Sequence, residues 1–201
     1  MAEIILENVL IFVVLLNPIS KIILLASIEE EITPPMLIRI SRQATLTAVC
    51  ILVAFAFLGL FMLNTMFRIE LTSLQVVGGI VLFMVGLRAI QKGEFFSLEY
   101  RSHIEEIAAV PIAAPLIAGP AAIAAAIAQS AQFNPAVVSL AIIIASFINM
   151  VLMMYSFKIS RLLKKFHLIN PLIRITGLLI SSVGMNMALT GVRSFFAGFN
   201  I

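Results

Sequence analysis

The sequence predicts an all-α polytopic membrane protein: six transmembrane helices forming two inverted three-helix repeats, with helices 1 and 4 broken. Three observations predict it. The 201 residues are 62% hydrophobic and 11% charged, with a mean hydropathy of +1.14, far too apolar for a soluble domain of this length. The apolar residues fall in long unbroken runs, whereas a transmembrane barrel shows short alternating segments. Two of those runs contain a proline preceded by a helix-capping type of residue, Asn17-Pro18 and Gly119-Pro120.

The runs span roughly 8–28, 44–67, 71–90, 107–130, 136–157 and 171–192. Each is long enough to cross about 30 Å of hydrocarbon. The connections are short, which favours antiparallel neighbours in one bundle, so residues 1–201 read as one domain with repeats of about 1–98 and 99–201. Run one ends at Glu29-Glu30-Glu31, and Thr33 before Pro34 and Pro35 is a helix-start signal. The link at 91–106 is polar and mixed, the link at 131–135 has no charge, and the fifth link carries Lys158, Arg161, Lys164 and Lys165.

Orientation follows from the Lys/Arg bias. Links one, three and five share one side with Lys21, Arg39, Arg42, Arg88, Lys92, Arg101, Lys158, Arg161, Lys164, Lys165 and Arg174, and the other side has only Arg68 and Arg193. The odd links are therefore expected in the cytoplasm, with both termini outside a multi-pass plasma-membrane protein. Glu3 and Glu7 stand where a cleavable signal would carry basic residues.

Three spans per half is an odd number, so halves of like fold must have opposite orientation in the membrane. A shift of 98 positions matches Leu74 to Leu172, Gly79 to Gly177, Val85 to Val183 and Gly86 to Gly184. Pro18 and Pro120 fall at corresponding breaks.

An interior proline costs roughly 3 kcal/mol in a helix, and the carbonyl it frees finds no water in lipid. A lone proline is commonly a kink patched by a hydroxyl or water. Two prolines with capping residues at matching places instead predict half-helices starting near mid-membrane, at Pro18 and at Pro120. Helix starts carry unpaired N–H groups and a partial positive charge, so two facing starts would favour a carboxylate. Asn17, Pro18, Ser20, Gly119, Pro120 and Ala121 are the candidate binding residues at the breaks. Lys21 either anchors the helix at the interface or sits beside the break. Asn149 and Asn186 are mid-span amides that complete the candidate set. Gly78, Gly79, Gly86, Gly177 and Gly184 are expected to pack closely on the broken helices.

Several function classes are excluded. Asp is absent and no Glu falls well inside a predicted run, which leaves no aspartyl-protease pair and no obvious carboxylate proton relay. A ligand ammonium would have to meet freed carbonyls and amides. Cys50 is the only cysteine, and His103 and His167 lie in links, so no metal site, cofactor or enzyme is expected. Nothing beyond the membrane charge bias points to nucleic acid.

The segments Leu16-Asn17-Pro18-Ile19-Ser20-Lys21, Val77-Gly78-Gly79-Ile80-Val81-Leu82-Phe83 with Gly86, Pro115-Leu116-Ile117-Ala118-Gly119-Pro120 and Arg174-Ile175-Thr176-Gly177 resemble the MarC-related integral membrane family. They do so in order and spacing along nearly the whole chain. This family is also grouped as six-span neutral amino acid transporters. The resemblance implies a secondary transporter of small neutral amino acids such as glycine or alanine. Where the family usually has glycine after Gly-Pro, this chain has Ala121. Membrane lipids, a coupling proton or sodium ion, and a homo-oligomer are compatible with that reading. Its rivals are a lipid or isoprenoid-phosphate carrier, and a non-transporting structural or regulatory membrane protein.

Overall fold

The structure is a computed structural model that describes residues 2–27, 29, 32–94 and 119–197. The described residues are helical and contain no strand. The helices are α1 (Ala2–Leu16), α2 (Pro18–Ser27), α3 (Pro34–Phe61), α4 (Leu71–Lys92), α5 (Pro120–Gln132), α6 (Pro135–Met154), α7 (Ser156–Lys165) and α8 (Ile169–Ala197). A π-helical turn, Met62–Phe67, extends α3.

Among the described residues, five stretches are long and apolar enough to cross a membrane: Ala2–Ala26, Pro34–Phe67, Leu71–Lys92, Pro135–Met154 and Ile169–Ala197. Half of the fourth expected run, 107–130, falls outside the described residues. Its described part begins at Pro120, and the 13 residues of α5 span only about 20 Å at ~1.5 Å per residue. The helices overrun several expected edges. The first begins at Ala2 rather than near residue 8, and the second begins at Pro34 rather than near residue 44. Thr33 is the N-cap of α3 in extended conformation, with its carbonyl accepting from Leu37 at 2.9 Å. The fifth link is itself a helix, α7. It turns Ser156 and Ser160 inward and its basic side chains outward, and it packs on α2.

The core lies where α1, α3, α5 and α6 meet. Phe12, Leu16, Ala48, Leu52, Ala126, Val138, Ala141, Ile142 and Ala145 share one cluster and are fully buried. Alanine dominates the facing positions because small side chains let helix axes approach where lipid offers no competing hydrophobic drive. Large apolar residues also cover the outside: Leu10, Leu46, Phe57, Met84, Phe147 and Leu178 are all exposed. Helices apolar on every side suit a lipid solvent.

The tightest packing joins α4 to α8. A β-carbon on Gly79 would come within 2.5 Å of the Gly184 carbonyl oxygen, and one on Gly86 within 2.4 Å of the Gly177 carbonyl oxygen. The converse contacts hold as well, Gly177 against the Gly86 carbonyl (2.8 Å) and Gly184 against the Gly79 carbonyl (2.7 Å). The two helices run antiparallel, and their glycine contacts are reciprocal. This corrects the expectation for the glycines. Gly78 packs on a broken-helix segment, its β-carbon position lying 2.6 Å from Ala124 of α5. Gly79, Gly86, Gly177 and Gly184 instead bind α4 to α8, because two glycine-lined faces can approach more closely than either can approach the larger residues of α1.

Candidate functional site

The first break is real and is centred on one residue. Asn17 takes φ = 48°, a left-handed backbone that no helix continues through and that asparagine tolerates better than most residues. Its N–H donates back to the carbonyls of Val13 (3.1 Å) and Val14 (3.2 Å), closing α1. Its side-chain Oδ1 accepts from the N–H of Ser20 at 3.2 Å, opening α2 as an N-cap. Ser20 Oγ donates to the Asn17 carbonyl at 2.8 Å. Asn17, Ser20 and Lys21 are all buried.

Lys21 does not extend to the membrane edge. It is 4% exposed, and its Nζ turns back to donate to the carbonyl of Leu16, the last residue of α1. Helix C-termini present unpaired carbonyls and a partial negative charge, so Lys21 supplies the donor that this buried helix end needs. The interfacial-anchor reading is therefore corrected, and Lys21 belongs to the break.

At the second expected break, Gly119 is the N-cap of α5, with φ −64° and ψ 163°. Its carbonyl accepts from Ala122 (2.9 Å) and Ile123 (3.1 Å). Residues on its N-terminal side lie outside the described residues. Leu16, just before one break, and Ala122, just after the other, belong to the same buried cluster.

A cavity of about 390 Å³ opens among α1, α4, α5 and α8. Its polar wall is Glu7, Gln75, Gln129 and Gln132, with Ser182, Asn186 and Thr190 from α8. Ile11 and Ala125 also line it. Each is six residues from its break, or about 9 Å along a helix. The cavity thus lies about 9 Å or more along α1 and α5 from the starts of α2 and α5, toward the bundle end that holds Glu7 and Gln132.

The candidate residues fall into separate places. Asn186 lines the cavity. Asn149 does not line it. It is 1% exposed on α6, with Nδ2 on Met153 Sδ at 3.4 Å and Oδ1 enclosed without a partner among the described residues. Gly119 and Ala121 are half-buried at the start of α5. Three polar groups were missed. Glu7 was placed outside the first span, yet α1 begins five residues earlier and carries it onto the cavity wall, where it offers a ligand ammonium a carboxylate. Among the described residues, the enclosed Oε1 of Gln129 has no partner, and Gln129 lines the same cavity. Asn8, fully buried, bonds the Ile4 carbonyl at 2.9 Å, and its Oδ1 has no partner among the described residues. The apolar residues flanking Glu7 on both sides were the available signal that the span begins earlier.

Residues 2–196 match the MarC family of integral membrane proteins. A UPF0056 membrane protein of Pyrococcus horikoshii is 37% identical over 187 residues, covering 93% of this chain and 92% of that one. The UPF0056 membrane protein YvbG of Bacillus subtilis is 28% identical over 193 residues, covering 90% of each. A UPF0056 membrane protein of Aquifex aeolicus is 27% identical, covering 90% of this chain and 88% of that one. No solved structure matches. The chain belongs to the MarC family of integral membrane proteins.

Proposed function

We propose that this protein is a secondary transporter of small neutral amino acids of the glycine or alanine type, multi-pass in the plasma membrane with both termini outside. The observation that carries the reading is the buried break at Asn17, which ends one helix and caps the next inside a span. Discontinuous helices at repeat interfaces are where secondary transporters hold their substrates. The polar cavity between α1, α4, α5 and α8 adds an access route of about 390 Å³, ample for a small zwitterion. Glu7 and the cavity amides suit its ammonium during entry, about 15 Å along α1 from Asn17, and the starts of α2 and α5 suit its carboxylate once it reaches the breaks.

The reciprocal α4–α8 contacts support an arrangement of two inverted three-helix repeats. Both Gly79–Gly184 and Gly86–Gly177 are made, the antiparallel glycine pairing that inverted repeats would place between their third helices. Alternating access would then be one repeat rocking on the other about this glycine-lined seam. At the opposite end from the cavity mouth, the Arg161 guanidinium of α7 pairs with Glu29, which follows α2. The two repeats are tied there, so this conformation is open on the Glu7 side.

The test is uptake of labelled glycine and alanine into proteoliposomes under imposed proton and sodium gradients. Saturable flux competed by other small neutral amino acids is expected. Absence of flux under every gradient would overturn the proposal.

A further inference from the structure

A second concavity, of about 670 Å³, lies on the outer face between α3 and α6. Its composition is graded. At one end stand Arg39 and Arg42, both exposed and neither paired with any described residue. Deeper along the groove come Leu46 and Val49 of α3, facing Ile143, Phe147 and Met150 of α6. Residues 39, 42, 46 and 49 recur at helical spacing, so they form one stripe about 15 Å long at ~1.5 Å per residue. Between the charged end and the apolar floor is Thr45. It is 6% exposed, it lines the groove, and its hydroxyl has no partner among the described residues.

We infer that this groove is a binding site for one anionic phospholipid. The order of groups along the groove is the order of groups along such a lipid: a basic end for the phosphate, then an apolar floor for the hydrocarbon. Two unpaired guanidiniums suit a phosphate, which arginine holds in a bidentate fork. They flank the start of a span, the depth at which basic residues meet anionic headgroups. Thr45, about 4.5 Å further along the axis than Arg42, marks the change from the basic end to the apolar floor. Leu46, 67% exposed, and Phe147, 59% exposed, form an open apolar trough rather than a closed pocket. Such a trough fits an acyl chain entering sideways from the bilayer. The site is separate from the polar cavity, shares no lining residue with it, and does not depend on the transport proposal.

The test uses the full-length protein in nanodiscs with equal phosphatidylglycerol and phosphatidylcholine, followed by detergent extraction and native mass spectrometry. The wild type is expected to retain phosphatidylglycerol at least about threefold over phosphatidylcholine. Arg39→Gln with Arg42→Gln should abolish that preference, and Val49→Trp, which fills the trough, should reduce retention of both lipids. Arg68→Gln with Arg193→Gln should change nothing. Soluble glycerol phosphate at the same concentration should displace no lipid. Equal retention of the two lipids by the wild type, unchanged retention in both groove variants, or displacement by glycerol phosphate would overturn the inference. A change of oligomeric state in Arg39→Gln with Arg42→Gln would also overturn it, because the groove would then be a contact between copies.

Discussion

Ser181 Oγ lies 3.4 Å from the carbonyl oxygen of Phe83, and the two residues stand ninety-eight positions apart in the chain. That offset is the shift that aligns run three with run six. If the halves are inverted repeats, a residue that meets its own counterpart lies on the axis relating the two helices. Gly86 against the Ser181 backbone N and Gly184 against the Phe83 backbone N, both at 2.5 Å from the β-carbon position, flank it reciprocally. The α4–α8 seam should therefore respond symmetrically to damage. Gly86→Ala and Gly184→Ala each force a methyl into backbone, and overpacking of this kind costs typically about 1–3 kcal/mol. Thermal unfolding in detergent should show similar losses for the two. Gly93→Ala should cost less, because no atom lies within 4 Å of the added methyl and only its φ of 67° opposes the change. Strongly unequal effects of the two seam variants would count against the axis.

Asn17 does two things that substitutions can separate. Its backbone takes a positive φ, and its side chain caps Ser20. Asn17→Gly keeps the first and should lose only a few tenths of a kcal/mol. Asn17→Ala loses both, adding about 1–2 kcal/mol of left-handed strain to about 1 kcal/mol of cap. Unfolding in detergent should therefore rank wild type, Gly, then Ala. Equal stability of the Gly and Ala variants would mean that the chain relaxes into a continuous helix at this point.

Lys21 serves the end of α1, so what matters at this position is a donor for the Leu16 carbonyl. Lys21→Met keeps most of the buried volume and removes the donor, with an expected loss of about 1–3 kcal/mol for the orphaned carbonyl. Lys21→Glu puts an acceptor against carbonyl oxygens at a negatively polarised helix end, and should fold poorly or not at all. If Lys21→Met were as stable as wild type by thermal unfolding, the Leu16 contact would carry no structural weight.

How much of this was legible in the residues varies by physical cause. The break at Asn17-Pro18 was readable because proline and a capping residue leave a local signature. The use of Lys21 was not, since a long side chain can turn either way and sequence spacing does not fix its direction. Gly79 and Gly86 advertised close approach but not the partner, because small residues say how near a neighbour comes and not which neighbour it is. Glu7 was misplaced by the apolar-run rule, which ends a span at a charge even when apolar residues resume beyond it. Thr45 and Gln129 gave no signal, since their isolation depends on packing between distant segments. The helical character of the fifth link was masked by its basic residues.

The pair between Arg161 and Glu29 ties α7 to the segment after α2, at the end away from the cavity mouth. Arg161 is 73% exposed, so the pair is worth at most about 1 kcal/mol. Glu29→Gln should leave the fold intact and shift the access equilibrium by up to about fivefold toward the other side. With Cys50 replaced by serine, a single cysteine at Ala128 reports it. Ala128 lines the cavity, and its labelling by a membrane-impermeant maleimide added outside should slow in the Glu29→Gln background. Unchanged labelling would show that the pair does not hold this conformation.

Glu7 and Asn186 face one cavity from helices α1 and α8, and they give the sharpest separation of binding from folding. Both are exposed to the cavity or its mouth, so their substitution should change stability by no more than about 0.5 kcal/mol. Their expected contributions to transport differ. Glu7→Gln removes a carboxylate that would meet the ammonium of a zwitterion, while keeping the shape of the side chain. A charge-assisted bond is worth about 1.5–3 kcal/mol, so KM for glycine should rise at least about tenfold at unchanged protein stability. Asn186→Leu removes a neutral partner worth about 1 kcal/mol, and should raise KM only a few-fold. The two effects should be additive if the residues contact the substrate independently and less than additive if one positions the other. Uptake kinetics in proteoliposomes, run beside thermal unfolding of the same preparations, measure both. Glu7→Gln with wild-type KM would show that the cavity carboxylate does not bind the transported species, and the ammonium would have to be held at the break itself.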